Sequence, residues 1–442
     1  MNAKCCASRR RAISTRAVSV LIAVSLAVVL VGSSRAQAEF AIGPAINIAQ
    51  WFTWPRYDRA PATTIQWPPY KETPRPPSDA DLRALKDAGF QTVRLPVDPA
   101  PFFVFEGERR EAVYRMLFEA VRRINAAGLN VVIDLHPNSR HPAWGQHAVI
   151  AGADAPAFVA FNGVVGEMAR RLAKLDQDRV ALELMNEPRL QCRGEQQQRW
   201  ETLLRQMIET ARKQAPRLAL VVTGACVSSA DGLVALDPGA LGDGNLIYTF
   251  HFYEPFSFTH QGAQFIPWPD KYLDQVPWPA SERPIEQVLA HLDRRMDTLA
   301  LEPDAREQAR LKARANLIKY YARGSDRDLI DKRFDLVANW ARSNGVAADR
   351  VFIGEFGVLR KNGDAPGALC ADRLRWLADI RASATRHGFT WAYFSYDGPF
   401  ALVDDDQSRK LDGSVLAALG LRGGGWRSCD SRANAADTDR RR

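Results

Sequence analysis

The sequence has few cysteines and none of the close Cys or His spacings that bind structural zinc. Six cysteines occur in 442 residues, and they form no CxxC pair and no Cys/His cluster. No G-x-G-x-x-G or P-loop motif follows the first predicted strand, and no long Pro/Ser/Thr-rich linker divides the chain. These absences argue against a zinc-dependent module, against a dinucleotide-binding sheet and against a separate binding module joined by a linker.

The first 38 residues have the pattern of an export signal. Arginines at Arg9–Arg11 and Arg16 precede the apolar run "AVSVLIAVSLAVVLVG" (17–32), and Ala36–Ala38 provides a small-x-small cleavage pattern. We therefore expect a secretory signal peptide over residues 1–38, export to the periplasm or the exterior, and no stable membrane association once it is removed. An uncleaved anchor is the alternative, because a run of this length is near the lower limit for spanning a bilayer.

The basic charge is concentrated in the same segment. The formal net charge of +8 falls to +2 once the six basic side chains of residues 1–38, which contain no acid, are removed. The predicted mature chain therefore lacks the strong positive charge that nucleic-acid binding uses. The basic end of residues 427–442 follows a small, polar stretch and is interpreted as a solvated tail.

Strand-like and helix-like segments alternate along the rest of the chain. Amphipathic stretches such as 78–89, 111–130 and 157–176 separate short apolar runs rich in β-branched residues. Eight such units predict an α/β fold of the (β/α)8, or TIM, barrel type over residues 39–426, with a doubly wound open sheet as the alternative. The predicted strands are 44–49, 90–97, 130–137, 179–186, 218–225, 245–253, 350–357 and 389–396.

One connection is much longer than the others. Nearly a hundred residues separate the sixth and seventh predicted strands, and they contain helical patterns at 285–300, 306–324 and 331–345. We predict a helical insertion over residues 254–350, which is either a cap over the substrate site or a surface subdomain.

Polar and aromatic residues end most of the predicted strands. Because the carboxyl ends of barrel strands face the active site, these residues are expected to meet there. Two are carboxylates that close hydrophobic strands, Glu187 in "NEP" and Glu355 in "GEFG". Their expected neighbours are Arg94, His136, Asn186, His251, Tyr253 and the aromatic cluster Trp391, Tyr393, Phe394 and Tyr396. Glu183 is interpreted instead as a structural residue that points into a polar layer of the barrel or pairs with an arginine.

Two carboxyl groups in one site suit the cleavage of an acetal. One must be protonated to assist the leaving oxygen, while the other must be ionised to attack the sugar or stabilise its developing positive charge. Partial burial and a like charge are expected to raise the pKa of Glu187, which makes it the acid/base candidate. Arg94 and Tyr253 are expected to keep Glu355 ionised, which makes it the nucleophile candidate.

These motifs resemble glycoside hydrolase family 5, the cellulase family within the clan of retaining (β/α)8 glycosidases. The matching motifs, in the family's order, are "VRLP" (93–96), "VIDLHP" (132–137), "NEP" (186–188), "HFYEP" (251–255) and "GEFG" (354–357). The resemblance covers about residues 40–420. It implies Glu187 as acid/base, Glu355 as nucleophile, and chemistry that needs no metal or organic cofactor.

The resemblance also implies residues that surround the sugar beside the scissile bond. Those at matching positions are Arg94, His136, Asn186, His251 and Tyr253. Where the family usually places a tryptophan as a sugar platform at the end of the last strand, this chain offers Phe394, with Trp391 three residues earlier. This departure predicts an altered subsite and makes a narrower or unusual substrate plausible.

Four cysteines remain after the predicted signal peptide, an even number that favours disulfides in an exported chain. We predict a bond between Cys192 and Cys226, which follow neighbouring strands at one face, and one between Cys370 and Cys429, which flank the last βα unit. Free buried thiols are the alternative.

Further candidate substrate contacts lie in the connections between strands. Glu254 and His260 follow the sixth strand and are secondary candidates. Two or three sugar-stacking rings are expected among the tryptophans of the connections, which are Trp51, Trp54, Trp144, Trp268 and Trp278.

The sequence therefore predicts a secreted, monomeric, retaining β-glycosidase of polysaccharides or oligosaccharides, with an endo-β-1,4-glucanase as the leading hypothesis. A β-mannanase, a β-1,3-glucanase and an exopolysaccharide-processing glycosidase remain open. A catalytically weak carbohydrate-binding barrel is an alternative from another class, although the presence of both Glu187 and Glu355 argues against it. A metal-dependent hydrolase is disfavoured because the site histidines lack carboxylate clustering of the ligand type.

Overall fold

The computed structural model describes residues 40–58, 64–70, 76–138, 141, 143–266, 269–361, 365–404, 407–423 and 425. The predicted signal peptide, Trp268, Cys429 and the tail 427–442 lie outside the described residues. Among the helices that are described, none combines the length and the apolar character needed to cross a membrane.

Eight parallel strands close into a barrel, in which each strand pairs with the next and the last pairs with the first. The strands are β1 Pro44–Asn47, β2 Thr92–Val97, β3 Asn130–Leu135, β4 Val180–Glu183, β5 Ala219–Thr223, β6 Leu246–Phe252, β7 Val351–Phe356 and β8 Thr390–Tyr393. Each lies within a predicted strand, so the predicted (β/α)8 barrel is confirmed. The parallel order brings all carboxyl ends of the strands to one face.

Helices surround the barrel and connect its strands. The α-helical segments are Asp79–Ala88, Ala100–Val104, Gly107–Ala126, Gln146–Val149, Pro156–Leu172, Gly194–Gln214, Ala230–Val234, Pro238–Leu241, Phe256–Thr259, Ile285–Thr298, Pro303–Ala322, Arg327–Ser343, Cys370–His387 and Gly413–Ala418. Short 3-10 helices cover Asp270–Tyr272, Ala280–Glu282 and Ala348–Arg350.

The helix Asp79–Ala88 shows how local sequence sets these boundaries. The Asp81 N–H donates to the Ser78 hydroxyl at 3.2 Å, and the Ser78 N–H donates to the Asp81 carboxylate at 2.7 Å, which completes a capping box. Gly89 ends the helix at φ 108°, a conformation that residues with a side chain rarely adopt. Both ends of the helix are therefore fixed by its own sequence.

The barrel interior consists of an apolar lower layer and a polar upper layer. The lower layer contains Ala45, Val132, Ala181, Ile247 and Phe352, all buried. The upper layer contains Asn47, Arg94, Asp134, Glu183 and Glu355, which are also buried. Side chains two residues apart on a strand point to the same side, which places Asn47, Asp134 and Glu183 directly above Ala45, Val132 and Ala181. Glu355 joins the same layer through a register shift in β7 between Ile353 and Phe356.

The long connection after β6 is partly an insertion and partly an ordinary barrel helix. Ile285–Thr298 and Pro303–Ala322 pack against each other as an added helical hairpin. Arg327–Ser343, which the sequence assigned to the insertion, packs against Cys370–His387 in the outer ring of helices. The predicted bounds 254–350 were therefore too wide, because amphipathic periodicity does not distinguish an inserted helix from a barrel helix.

Candidate active site

Arg94, on β2, is the centre of the buried polar layer. Its Nε and Nη2 atoms donate to the two carboxylate oxygens of Glu183 at 2.7 and 2.8 Å, and Nη2 lies 3.0 Å from Asp134 Oδ2. Burial alone would lower the pKa of Arg94, but the carboxylates of Asp134 and Glu183 raise it well above its ordinary value. Glu183 thus pairs with an arginine, and the guanidinium carries a permanent charge at the barrel centre.

Glu355, on β7, is 5% exposed and receives a hydrogen bond at each oxygen. Arg94 Nη1 donates to Oε1 at 2.6 Å, and the Tyr253 hydroxyl donates to Oε2 at 2.9 Å. Both donors are themselves buried or partly buried, which strengthens their interaction with a charge. The arrangement favours the ionised carboxylate.

Glu187 lies beyond the end of β4, and a quarter of its side chain is exposed. Its Oε1 is 2.8 Å from His251 Nδ1. Burial lowers the pKa of His251 to about 4, so this imidazole is neutral near neutral pH. Removal from water raises the pKa of Glu187 above that of an ordinary glutamate. The surroundings of Glu187 thus favour its protonated form.

The two carboxyl groups are close enough to act on one bond. One oxygen of Glu187, one oxygen of Glu355 and one ring nitrogen of His251 all lie within 4.8 Å of each other. Retaining glycosidases hold their carboxyl pair about 5–5.5 Å apart, whereas inverting ones leave a gap of about 6.5–9.5 Å for a water molecule. The same three groups could converge on a metal ion, but Arg94 and Tyr253 already bind the two oxygens of Glu355.

A hydrogen-bonded chain connects the polar layer to His136 and Asn186. Asn186 Oδ1 accepts from Arg94 Nη2 at 2.9 Å, and its Nδ2 lies 3.2 Å from His136 Nε2. His136 Nδ1 lies 2.7 Å from Asp134 Oδ2. Burial raises the pKa of Asp134 to about 7. Sequence reasoning missed Asp134, although an acid inside the apolar run "VIDL" signalled that β3 carries a buried polar group.

The carboxyl end of the barrel opens into a cavity of about 1010 Å³. Five residues of the predicted site are among its lining: His136, Asn186, Glu187, His251 and Tyr253. No described residue of the hairpin 285–322 lines this cavity. The hairpin is therefore not the predicted cap over the substrate site. The first part of the connection does contribute, through Glu254, Phe256, His260 and Phe265.

Phe256 and Phe265 are the exposed aromatic residues of the cavity that sequence reasoning missed. They are 45% and 60% exposed, and Phe256 stacks on His260 with ring centroids 3.9 Å apart and planes at 13°. Burial lowers the pKa of His260 to about 3, so this stack is uncharged. Phe256 begins the short helix Phe256–Thr259, and Phe265 lies in the connection that follows it. Only the fold brings these two rings to the cavity, because the aromatic residues predicted for the connections were tryptophans.

The structure corrects the expected roles of two tryptophans. Trp391 packs edge-on against Phe356 in the apolar layer between strands and helices, because its neighbour Ala392 takes the inward position on β8. Trp278 is fully buried and donates its indole N–H to Asp379 at 2.9 Å. Neither ring is available to stack on a sugar.

The remaining aromatic candidates occupy different surroundings. Phe394 is half-buried beside Tyr253, with ring centroids 6.5 Å apart, and so remains next to the site. Trp144 stacks on His141, a cavity residue, at 6.0 Å. Trp54 is 53% exposed, and Trp51 packs on Phe52. None of these tryptophans lines the cavity within the part of the chain that the structure describes.

A disulfide connects two loops beside the cavity. It joins Cys192 to Cys226 with Cα atoms 5.2 Å apart, as in the first predicted pairing. Cys370 is also disulfide-bonded, but its predicted partner Cys429 lies outside the described residues.

Comparisons with known sequences agree on one family. The model of the cellulase family, glycosyl hydrolase family 5, matches residues 58–398. Endoglucanase 3 of Fibrobacter succinogenes is 23% identical over 356 residues, which are 78% of this chain and 49% of that protein. Cellodextrinase A of Ruminococcus flavefaciens is 30% identical over 188 residues, which are 42% of this chain and 54% of that protein. The chain spans about half the length of these curated relatives.

Solved structures share the barrel. The Clostridial cellulose synthase subunit Z from Clostridioides difficile aligns with a TM-score of 0.61 at 23% identity, covering 86% of this chain and 99% of that one. Endoglucanase Cel5A from Thermotoga maritima aligns with a TM-score of 0.60 at 20% identity, covering 86% and 97%. At these identities the similarity establishes the common fold.

Proposed function

The chain belongs to glycosyl hydrolase family 5, the cellulase family, and on that premise we propose that it is an exported, retaining endo-β-1,4-glucanase. We assign Glu187 as the acid/base and Glu355 as the nucleophile. The observation that carries this proposal is the pair of carboxyl groups within 4.8 Å, one in surroundings that favour protonation and the other bonded to a guanidinium.

In the first step, a Glu355 oxygen bonds to the anomeric carbon while the glycosidic C–O bond breaks. The proton of Glu187 passes to the departing oxygen, so the leaving chain departs as an alcohol. Glu187 becomes a carboxylate, and Glu355 becomes the ester of a glycosyl-enzyme. His251, which contacts Glu187 at 2.8 Å, is placed to orient the acid during this transfer.

In the second step, water replaces the departed chain. The Glu187 carboxylate takes a proton from the water, the hydroxide oxygen bonds to the anomeric carbon, and the bond to Glu355 breaks. Two displacements at one carbon restore the original β configuration. Arg94 and Tyr253 stabilise the released Glu355 carboxylate through the bonds that they make to it in the resting site.

The finer assignments have separate support. Curated relatives named endoglucanase favour internal cleavage of a glucan chain, and an open cavity of about 1010 Å³ suits an extended substrate. Export is supported by the signal-like residues 1–38 and by the Cys192–Cys226 disulfide, since disulfides persist in oxidising compartments.

Anomeric NMR on soluble β-1,4-glucan oligosaccharides would test the reaction directly. We expect the β-anomer to appear first with the chain from Glu39 onward, and no product with Glu355→Gln. Glu119→Gln is the matched control, because Glu119 is an exposed helix residue that pairs with Arg122 on the surface.

Two outcomes would contradict the proposal. Appearance of the α-anomer first would show inversion and remove the nucleophile role of Glu355. No cleavage of the glucan, together with cleavage of a β-mannan or β-1,3-glucan, would replace the substrate while leaving the catalytic pair in place.

A further inference from the structure

The backbone of Glu187 adopts a conformation that glutamate rarely occupies. Its φ is +42°, in the left-handed region that is unfavourable for residues with a side chain. Such a conformation persists only where surrounding contacts hold it. The position of the Glu187 carboxyl therefore depends on whatever fixes this peptide.

Two side chains hold the Glu187 backbone from opposite sides. The Glu187 N–H donates to the Ser228 hydroxyl at 3.2 Å, and the Glu187 carbonyl accepts from Gln146 Nε2 at 2.8 Å. Gln146 Nε2 also lies 3.2 Å from the Asn186 carbonyl. Ser228 is completely buried, so no water competes for its hydroxyl. Sequence reasoning identified neither Ser228 nor Gln146.

Ser228 is itself the last residue of a left-handed turn. Cys226, Val227 and Ser228 have φ values of +55°, +58° and +54°, and none of the three is glycine. The turn follows β5 directly and lies against the loop that carries Glu187. Three successive residues in this region also need external support.

That support comes from the Glu187 loop. The Cys226 N–H donates to the Leu190 carbonyl at 2.7 Å, and the Val227 N–H donates to the Pro188 carbonyl at 3.1 Å. The disulfide from Cys226 to Cys192 adds a covalent link between the same two loops. Together with the bond from the Glu187 N–H to Ser228, four links thus join the left-handed turn to the loop that carries Glu187.

Two glycines pack closely beside the start of the turn. A Cβ on Gly224 would lie 1.9 Å from the Gly232 carbonyl oxygen, and one on Gly232 would lie 1.8 Å from the Ala225 carbonyl oxygen. Backbone packs directly on backbone here, so neither position has room for a side chain.

We propose that Ser228 and the Cys192–Cys226 disulfide are positioning elements for the acid/base Glu187. They hold its strained peptide so that the carboxyl stays beside His251 and within reach of the glycosidic oxygen. The inference rests on the proposed function. In this proposal, contacts between the loops after β4 and β5 position Glu187 for proton transfer. They do not affect the position of Glu355.

Leaving-group dependence separates this role from a merely structural one. A 2,4-dinitrophenyl glycoside departs without a proton, whereas a sugar alkoxide needs the acid. For Ser228→Ala, and for the double variant Cys192→Ser/Cys226→Ser, we expect kcat/KM on cello-oligosaccharides to fall about 10-fold. On 2,4-dinitrophenyl β-cellobioside it should change less than about 2-fold. Thr202→Ala, which removes an exposed hydroxyl bonded to the Gln198 carbonyl of its own helix, should change neither.

An equal loss on both substrates would overturn the proposal, because it would indicate general damage to the site. Unchanged activity on both would overturn it as well. Thermal denaturation of each variant shows whether the fold is retained.

A titration of Glu187 keeps the inference testable if the substrate assignment fails. The 13C-carboxyl signal of Glu187 is identified by its loss in Glu187→Gln. We expect its midpoint to move toward the ordinary glutamate value in Ser228→Ala, since a released side chain gains solvent. An unmoved midpoint would refute the positioning role, while a wild-type chain that cleaves neither cellulosic substrate would count against the proposed function only.

Discussion

Glu355 and Glu187 face the same reaction site from supports of different construction. Glu355 lies within β7, and its carboxylate is bound by side chains from β2 and from the end of β6, Arg94 and Tyr253. Glu187 lies beyond β4 at φ +42°, and its carboxyl contacts the neutral imidazole of His251. Glu355 is held through its side chain, whereas Glu187 is held mainly through its backbone.

The difference suits the two roles that we propose for these carboxyl groups. A cation and a hydroxyl donor favour the charged form of Glu355, whereas desolvation without a strong cationic contact favours the neutral form of Glu187. A general acid must release and regain its proton. A fixed cation bound to its carboxylate would stabilise the ionised form and oppose protonation. Holding the peptide of Glu187 fixes its position and leaves its carboxyl free to change charge.

The largest expected effect comes from removing the Glu187 proton. Glu187→Gln should lower kcat/KM on cello-oligosaccharides by about 10²–10⁴-fold, the usual contribution of a general acid/base. The proposed mechanism requires protonated Glu187, and burial raises its pKa, so kcat/KM should fall as pH rises through that pKa. A pH profile of the variant should lack this alkaline limb, and its persistence would assign the limb to another group.

Next in size is the loss of the cation that supports the Glu355 side. Arg94→Met leaves Glu183, Asp134 and Glu355 without their guanidinium and should lower the free energy of unfolding by about 3–5 kcal/mol. Urea denaturation measures this change. Arg122→Met, which breaks the exposed pair with Glu119, should cost at most about 1 kcal/mol. Equal effects of the two variants would contradict the central role of Arg94.

A smaller effect should follow from removing one donor to Glu355. Tyr253→Phe deletes a charge-assisted hydrogen bond worth about 1.5–3 kcal/mol and should lower kcat/KM roughly 10- to 100-fold with the fold intact. Unlike Ser228→Ala, it should affect dinitrophenyl and sugar leaving groups alike. Tyr321→Phe, which loses a bond to the Arg283 carbonyl in the insertion, is the control and should leave activity unchanged.

The smallest effect concerns Phe265, an exposed ring that lines the cavity. Phe265→Ala should raise KM for long cello-oligosaccharides about 5-fold, since a stacked ring contributes about 1 kcal/mol, and should leave kcat unchanged. Leu311→Ala removes a comparably exposed side chain from the helix Pro303–Ala322, outside the cavity, and should have no effect. A fall in kcat for Phe265→Ala would place this ring closer to the chemistry.

Several parts of the site could be read from strand patterns. Arg94 lies within β2, where alternation and the parallel order fix which residues meet at the carboxyl end. Alternation alone would turn Glu355 outward, because Phe352 already points inward, and a register shift in β7 between Ile353 and Phe356 brings it to the site. The same alternation could have excluded Trp391, which precedes the inward Ala392 by one residue. Trp278 could not be placed in this way, because nothing in its loop sequence shows that it is buried against Asp379.

The contacts that hold Glu187 were beyond sequence reasoning. Ser228, Gln146 and the left-handed turn come from connections after different strands, and no local pattern in "ACVSSA" predicts a positive φ at three non-glycine residues. The sequence likewise did not show where the insertion ends and the barrel helix begins, because inserted helices and barrel helices alike have one apolar face. Only packing against Cys370–His387 distinguishes Arg327–Ser343.

The sequence by itself determined the barrel, the alternation of strands and helices, and the two carboxylates at strand ends, because these follow from periodicities of two and 3.6 residues and from the parallel strand order. Only the tertiary structure decided the environments of Glu187 and Glu355. Burial of the two carboxyls, the contacts of Arg94 and the support of the Glu187 peptide all bring together residues that are far apart in the chain. The strength of these interactions depends on distances in space, which the order of residues along the chain does not give.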